Sequence, residues 1–244
     1  MERIKVVVNG ACGKMGKETI KAINKDPELK IVGAVDIAGE NNDAGEISGI
    51  GKIGIIISQN LKETLINTKP DVLVDFTTPK VVMSSIKTAG ETKTNIVVGT
   101  TGITENDLTE IEKICKKNGI NVFIAPNFAI GAVLMMRFSS EAIKYMPKAE
   151  ILEFHHDQKL DAPSGTSIKT SQMMKKVSGK DVPIHSIRLP GFVAHQEVIF
   201  GGIGQTLSIR HDSISRESFM PGVILAIKKI SQLNGLVYGL ENIL

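Results

Sequence analysis

The stretch IKVVVNGACGKMG, Ile4–Gly16, is a short β-branched apolar run followed at once by a glycine loop that opens a helical segment. Glycines recur at Gly10, Gly13 and Gly16. In a strand–loop–helix turn of this kind the first glycine lets the backbone reverse, the next lets a pyrophosphate approach closely, and the third lets the helix pack on the sheet. The helix N-terminus then aims its free N–H groups and partial positive charge at the phosphates. Any tight strand-to-helix turn can use glycine, so the triplet takes its meaning from context. Asp36 closes the next apolar run, twenty residues beyond Gly16, where an acidic side chain accepts hydrogen bonds from the adenosine ribose hydroxyls. Gly10, Ala11, Cys12, Gly13, Lys14, Met15, Gly16 and Asp36 are therefore the first candidate dinucleotide-binding residues. The charge of Asp36 repels a 2′-phosphate, and Ile37 stands where an arginine often welcomes one. NADH is thus the preferred cofactor; Lys14 and Lys17 partly offset the repulsion, so NADPH is disfavoured rather than excluded.

Working outward, apolar runs of strand length alternate with helix-period segments through the first half. Ile4–Val8, Leu29–Val35, Val72–Phe76, Ile96–Val98 and Val122–Ala125 are continuous and rich in β-branched residues, as strands buried on both faces of a parallel sheet are. Between them Lys14–Asn24, Lys80–Gly90 and Glu105–Asn118 read as helices, the last with Thr104 and Asp107 at its start and Gly119 at its stop. Gly39–Gly54 reads as a loop, with a weaker strand at Ile55–Ser58. The alternation predicts a doubly wound α/β domain. Gly99, Thr100 and Thr101, and Ala125, Pro126, Asn127 and Phe128, follow strand ends, where open α/β sheets bind ligands, and are candidates to line a nicotinamide pocket. Beyond Asn127 come a long helix over Ala129–Met146, a segment Glu150–His156, a helix over Thr166–Val177, strands at Ile184–Arg188, Ala194–Phe200 and Thr206–His211, and a tail helix over Pro221–Leu233. That half predicts a second, α+β domain with an open mixed sheet.

Composition narrows the function. With 244 residues, 42% hydrophobic and 23% charged, the chain can bury a core in one large or two smaller domains. Its net charge of +3 is mild and its lysines are dispersed, and Trp is absent, so neither a nucleic-acid footprint nor a stacking platform is present. No apolar stretch approaches the roughly 20 residues of a membrane span, and MERIKVVVNG runs into a strand pattern rather than a signal peptide. A soluble cytoplasmic protein is expected. Cys12 and Cys115 lie far apart without Cys/His spacing, which argues for reduced thiols and no metal site.

The run EFHHDQKLDAPSGTS, Glu153–Ser167, concentrates the remaining chemistry. His155 and His156 can move protons near neutral pH, Lys159 carries a fixed positive charge, and Ser164, Gly165 and Thr166 form the mouth of a helix with free N–H groups. Together they suit a small dianion.

The segments GACGKMG, DFTTP, VVGTTG, APNFAIG and HHDQKLDAPSGTS together resemble the 4-hydroxy-tetrahydrodipicolinate (dihydrodipicolinate) reductase family, over most of the chain from Val6 to the C-terminal helix. The resemblance implies a Rossmann-type dinucleotide-binding domain, residues 1–127 with 215–244, to which the final helix returns. It also implies a substrate-binding and oligomerisation domain, residues 128–214, whose sheet builds a homotetramer. By position, His155 becomes the proton donor with Lys159 its charged partner, His156 contacts one carboxylate of a dicarboxylate substrate, and Ser164, Gly165 and Thr166 surround the other. The chemistry agrees: reducing such a substrate needs hydride at one carbon, a proton at its neighbour and two neutralised carboxylates. Which histidine delivers the proton stays open on the residues alone, because neighbours on a strand point to opposite faces. The chain departs from the family where Arg188-Leu189-Pro190-Gly191 replaces an Arg-Gly-Gly segment. Two other readings compete: a related NAD(P)-dependent amino-acid or diamine dehydrogenase, and a non-catalytic dinucleotide sensor. The sensor has no use for the pair His155 and Lys159.

Overall fold

A computed structural model describes residues 2–244, and two compact units divide them, one reaching Phe128 and resuming over Phe219–Leu244, the other spanning Ala129–Ser218. In the first unit the chain lays down β1 (Ile4–Asn9), α1 (Lys14–Lys25), β2 (Leu29–Val35), α2 (Ala44–Ser48), β3 (Ile57–Ser58), α3 (Leu61–Thr68), β4 (Val72–Asp75), α4 (Val82–Glu91), β5 (Asn95–Val98), α5 (Glu105–Asn118) and β6 (Val122–Ile124). The second unit holds α6 (Ile130–Ala142), β7 (Lys148–His155), α7 (Gly165–Ser178), β8 (Ile184–Arg188), β9 (Ala194–Gly202) and β10 (Gln205–Ser213). The tail completes the first unit with α8 (Met220–Lys229) and β11 (Leu236–Tyr238).

Seven parallel strands in the order β11-β6-β5-β4-β1-β2-β3 form the first sheet. Chain order runs outward from β1 through β2 to β3, then turns back through β4 on the other side, so the switch point lies between β1 and β4. Ligands of such sheets bind beyond the carboxyl ends of the strands at that point. The strands are apolar throughout because helices cover both faces: Val6, Val7, Val8, Leu73, Val74, Ile96 and Val97 are fully buried. The expected start and stop of α5 are both present, as a reciprocal Thr104–Asp107 capping box and Gly119 in the left-handed region at φ 68°.

Several elements were not expected from the sequence. The Gly39–Gly54 loop contains α2, capped by the Asp43 carboxylate, which accepts N–H groups from Gly45 and Glu46 and, across the loop, from Ile53 and Gly54. Helix α3 is capped by Asn60, whose side chain accepts from Glu63 N. The short strand β11 extends the sheet beside β6. Helix α6 stops at Ala142, short of Met146, since Pro147 disfavours helical backbone before it. The tail helix likewise ends at Lys229 and tightens into a 3-10 turn over Ile230–Gln232.

In the second unit a mixed sheet runs β10-β9-β7-β8, with β7 parallel to β8 and antiparallel to β9. One face packs on the helices through Ile143, Ile151, Met174, Val198 and Phe200.

The packing of the β1–α1 corner is testable. A Cβ at Gly16 would stand 2.0 Å from the Gly10 carbonyl oxygen and 2.9 Å from Ala11 Cα, both backbone atoms. Gly16→Ala is expected to lose about 1–3 kcal/mol in urea denaturation. Gly165→Ala, where a Cβ meets nothing within 4 Å, should stay within about 0.5 kcal/mol of the parent.

Candidate active site

The loop after β1 is sewn to the end of β2: Gly10 N and Ala11 N both donate to Val35 O, and Cys12 N donates to Asp36 Oδ2 at 2.8 Å. Gly10 holds φ +81° with its α-carbon so close to β4 that a Cβ would meet Phe76 O at 2.5 Å. Only glycine fits there. Helix α1 starts at Gly13 without a side-chain cap and has no acidic residue in its first turn. Its first N–H groups and the positive end of its dipole are thus left for an anion. Asp36 accepts Ala38 N on Oδ1 and Cys12 N on Oδ2, which leaves each oxygen a further lone pair.

A cavity of about 630 Å³ opens here, lined by Asn9, Gly10, Cys12, Gly13 and Asp36 on one side and by Phe76, Thr77 and Thr78 on the other. These features fit a dinucleotide: a cradle closed to any β-carbon, an uncapped helix start and an acid with spare acceptors. Of the residues expected from sequence, Gly10, Cys12, Gly13 and Asp36 line this cavity, whereas Ala11 and Gly16 are buried packing positions and Lys14 and Met15 lie in the first turn of α1. Gly99, Thr100 and Thr101 follow β5, and Ala125–Phe128 follow β6, outside its lining. Gly99 leaves room for the Phe76 ring, which a Cβ would approach to 2.0 Å. The Phe128 ring is buried, edge-on to Phe76 at 5.9 Å and Phe123 at 6.1 Å, so any ligand contact it makes comes through its backbone.

One organiser of this edge was missed from the sequence. Asp75, at the end of β4, has no exposure to solvent, and its carboxylate accepts from Asn9 Nδ2 at 2.9 Å, Thr77 N at 3.1 Å, Thr77 Oγ1 at 2.7 Å and Thr100 Oγ1 at 3.0 Å. Asn9 also reaches Ser85 Oγ at 3.1 Å. Three strand ends are joined through one side chain. Its only sequence signal is an acid directly after the apolar run of β4.

In the second unit Glu153 and His155 share one face of β7, two residues apart, and His155 lies beside Arg188 in the β8 register. His155 Nδ1 hydrogen-bonds Glu153 Oε2, while Arg188 Nη2 donates to Glu153 Oε1 at 2.7 Å and to Asp161 O at 2.9 Å. Burial pushes the His155 imidazole below its ordinary 6.5, an effect that the charge and hydrogen bond of Glu153 oppose and that Lys159 and Arg188 reinforce. Burial pushes the Glu153 carboxyl the other way, but hydrogen bonds from Arg188 and Ser186 outweigh it and hold the group below the usual carboxylate range.

Lys159 donates to both Asp161 oxygens, at 2.6 and 2.8 Å. His156 is exposed, one residue past the end of β7, so the strand alternation invoked for the histidine pair ends at His155. The Ser164 hydroxyl caps α7 by accepting Ser167 N. It is buried, which leaves Gly165 and Thr166 as the accessible part of that helix start. His155, Lys159 and the α7 N-terminus follow one another along the chain from the end of β7 to the first turn of α7, and the charge of Lys159 acts on the His155 ring. Glu153 and Arg188, not singled out as site residues beforehand, support it.

Residues 4–128 match the family model "Dihydrodipicolinate reductase, N-terminus" and residues 131–244 match "Dihydrodipicolinate reductase, C-terminus". The 4-hydroxy-tetrahydrodipicolinate reductase of Syntrophomonas wolfei subsp. wolfei is 50% identical over 264 residues, covering 100% of this chain and 99% of that protein. A dipicolinate-bound dihydrodipicolinate reductase from Paenisporosarcina sp. TG-14 superposes with a TM-score of 0.86 at 39% identity, covering 99% of this chain and 100% of that one. An amine dehydrogenase from Mycobacterium smegmatis, with a TM-score of 0.68 at 13% identity over 96% of this chain and 94% of its own, shares the fold alone.

The electrostatics of His155 can be read directly. In an NMR titration its ring is expected to gain its proton only below pH 6.5, the ordinary imidazole value. A midpoint above that value would contradict the burial described.

Proposed function

The chain belongs to the dihydrodipicolinate reductase family, and from that premise we propose how its residues divide the work of the reaction. It is an NAD(P)H-dependent oxidoreductase that reduces 4-hydroxy-tetrahydrodipicolinate to tetrahydrodipicolinate in the diaminopimelate and lysine pathway. Bound along the glycine loop, the reduced nicotinamide dinucleotide supplies a hydride, which no side chain can provide. Gly10 and Gly13, where a Cβ would meet backbone oxygen, would admit its pyrophosphate to the start of α1, and Asp36, with a spare lone pair on each oxygen, would hold the ribose hydroxyls. Asp36 also makes NADH the preferred form over NADPH, since a 2′-phosphate beside it would set like charges together.

The 4-hydroxyl leaves as water, which gives a conjugated cyclic imine; hydride then enters at one carbon of its C=C bond and His155 delivers the proton to the neighbouring carbon. Lys159, His156 and the α7 start at Gly165 and Thr166 hold the two carboxylates, with Lys159 exchanging the Asp161 carboxylate for one of the substrate's. The observation that carries this reading is the grouping of a proton donor, a fixed cation and an accessible helix N-terminus within His155–Thr166. Dipicolinate, the ligand of the Paenisporosarcina relative, is a dicarboxylate of the kind such a group would hold. The mixed sheet of the second unit builds a homotetramer, and the enzyme works in the cytoplasm.

In a coupled assay, with the upstream synthase generating the substrate in place, NADH absorbance is expected to fall, with NADPH the poorer cofactor. Folded protein that oxidises neither would overturn the reading, and NADPH better by tenfold would overturn the role of Asp36. His155→Gln should lower kcat roughly 10²–10⁴-fold with NADH affinity kept.

A further inference from the structure

Glu153 is a carboxylate with no exposure to solvent, and both of its oxygens are engaged, one by Arg188 Nη2 at 2.7 Å and the other by the Nδ1 of His155. Burying a carboxylate is costly unless it is paired and hydrogen-bonded. The guanidinium supplies the countercharge on one oxygen, and the imidazole Nδ1 is the hydrogen-bond partner of the other. Arg188 is itself held, donating through Nη1 to Ile187 O at 2.8 Å and through Nη2 also to Asp161 O at 2.9 Å. The carboxylate plane is therefore set by a fixed donor rather than by the imidazole.

We infer that Glu153 is a positioning residue that holds the His155 ring with a proton on Nδ1, which makes Nε2 the nitrogen that hands a proton to the substrate. The inference rests on the reductase reading and deepens it, because it separates the two adjacent histidines. An ionised carboxylate only accepts, so the imidazole nitrogen it bonds must carry hydrogen. In the imidazolium form Nε2 carries the second proton. Transfer breaks the Nε2–H bond and forms a C–H bond at the substrate carbon beside the one that receives hydride, leaving a neutral ring whose Nδ1–H still faces Glu153. No electrons beyond those of the hydride move. His156 lies exposed past the strand end, outside this arrangement.

The surroundings keep the ring ready to give up its proton. Arg188 on β8 and Lys159 on the following loop disfavour the imidazolium, while Glu153 favours it. On β9 the register partner of His155 is Ala194, and α7 reaches the sheet through the uncharged pair Thr170 and Gln196. Glu153 thus favours the charged form of a ring that burial, Lys159 and Arg188 press toward neutrality.

Two measurements test the inference on the full-length protein. In a two-bond ¹H–¹⁵N correlation at a pH where His155 is neutral, its ring is expected as the Nδ1–H tautomer; an Nε2–H tautomer would overturn the proposal. That result needs neither turnover nor a variant. In steady state, Glu153→Gln is expected to lower kcat roughly 10²–10³-fold with NADH affinity unchanged. The alkaline limb of its kcat profile should move to lower pH, because the ring then loses its proton sooner, and Glu153→Asp should move it back. A Glu153→Gln enzyme with unaltered kcat and limb would also overturn it. Failure of the parent chain to oxidise NADH would fall on the reductase reading instead, since the tautomer is measured without turnover.

Discussion

The carboxylate of Asp75, sealed from water at the end of β4, is the constraint on which the ligand edge of the parallel sheet depends. A buried acceptor left without donors costs about 1–3 kcal/mol, more if it is charged, so the chain must bring donors to it. They come from the end of β1, from the turn after β4 and from the loop after β5, through Asn9, Thr77 and Thr100. Satisfying one side chain therefore fixes three loops relative to each other. The switch point between β1 and β4, a property of strand order alone, becomes a cavity of defined shape once those loops are held.

Glu153 plays a related part in the second unit by different means. Asp75 is met only by neutral groups, an amide, a backbone N–H and hydroxyls, whereas Glu153 is met by a guanidinium and an imidazole as well as by Ser186. Neutral donors make a static anchor. A cation on one side and a titratable ring on the other make a support whose far partner can change charge while the near one does not. The first suits a cofactor cradle, which must keep its shape, and the second suits a proton donor, which must keep its orientation through a change of protonation.

Much of this was legible in the sequence, for identifiable reasons. Continuous β-branched runs mark strands buried on two faces, the spacing of Gly10, Gly13 and Gly16 marks the first turn, and the Thr104–Asp107 box marks the start of α5. Asn60 and Glu63 carry the same kind of signal for α3, in the stretch between Ser58 and Val72 to which the sequence pattern assigns no element. Strand β11 has only the three residues Leu236–Tyr238, too short for a period to show. The polar supports were illegible for a deeper reason. Glu153 and Arg188 stand 35 residues apart and Asn9 and Asp75 stand 66 apart, so their pairing exists only once the strands are in register. Sequence periodicity could place Glu153 on the same face as His155; it could not say that an arginine from β8 would arrive beside them.

On the proposed reading both supports serve one chemical event: once the 4-hydroxyl has left as water, hydride from a dinucleotide and a proton from the protein add across a double bond of the cyclic dicarboxylate. The most direct measurement is mass spectrometry of the product formed in ordinary water from NADH carrying deuterium at both C4 positions. The expected product holds a single deuterium at the reduced carbon and solvent-derived hydrogen at its neighbour. A product without deuterium would mean that the hydride does not come from the nicotinamide, and the account would fail.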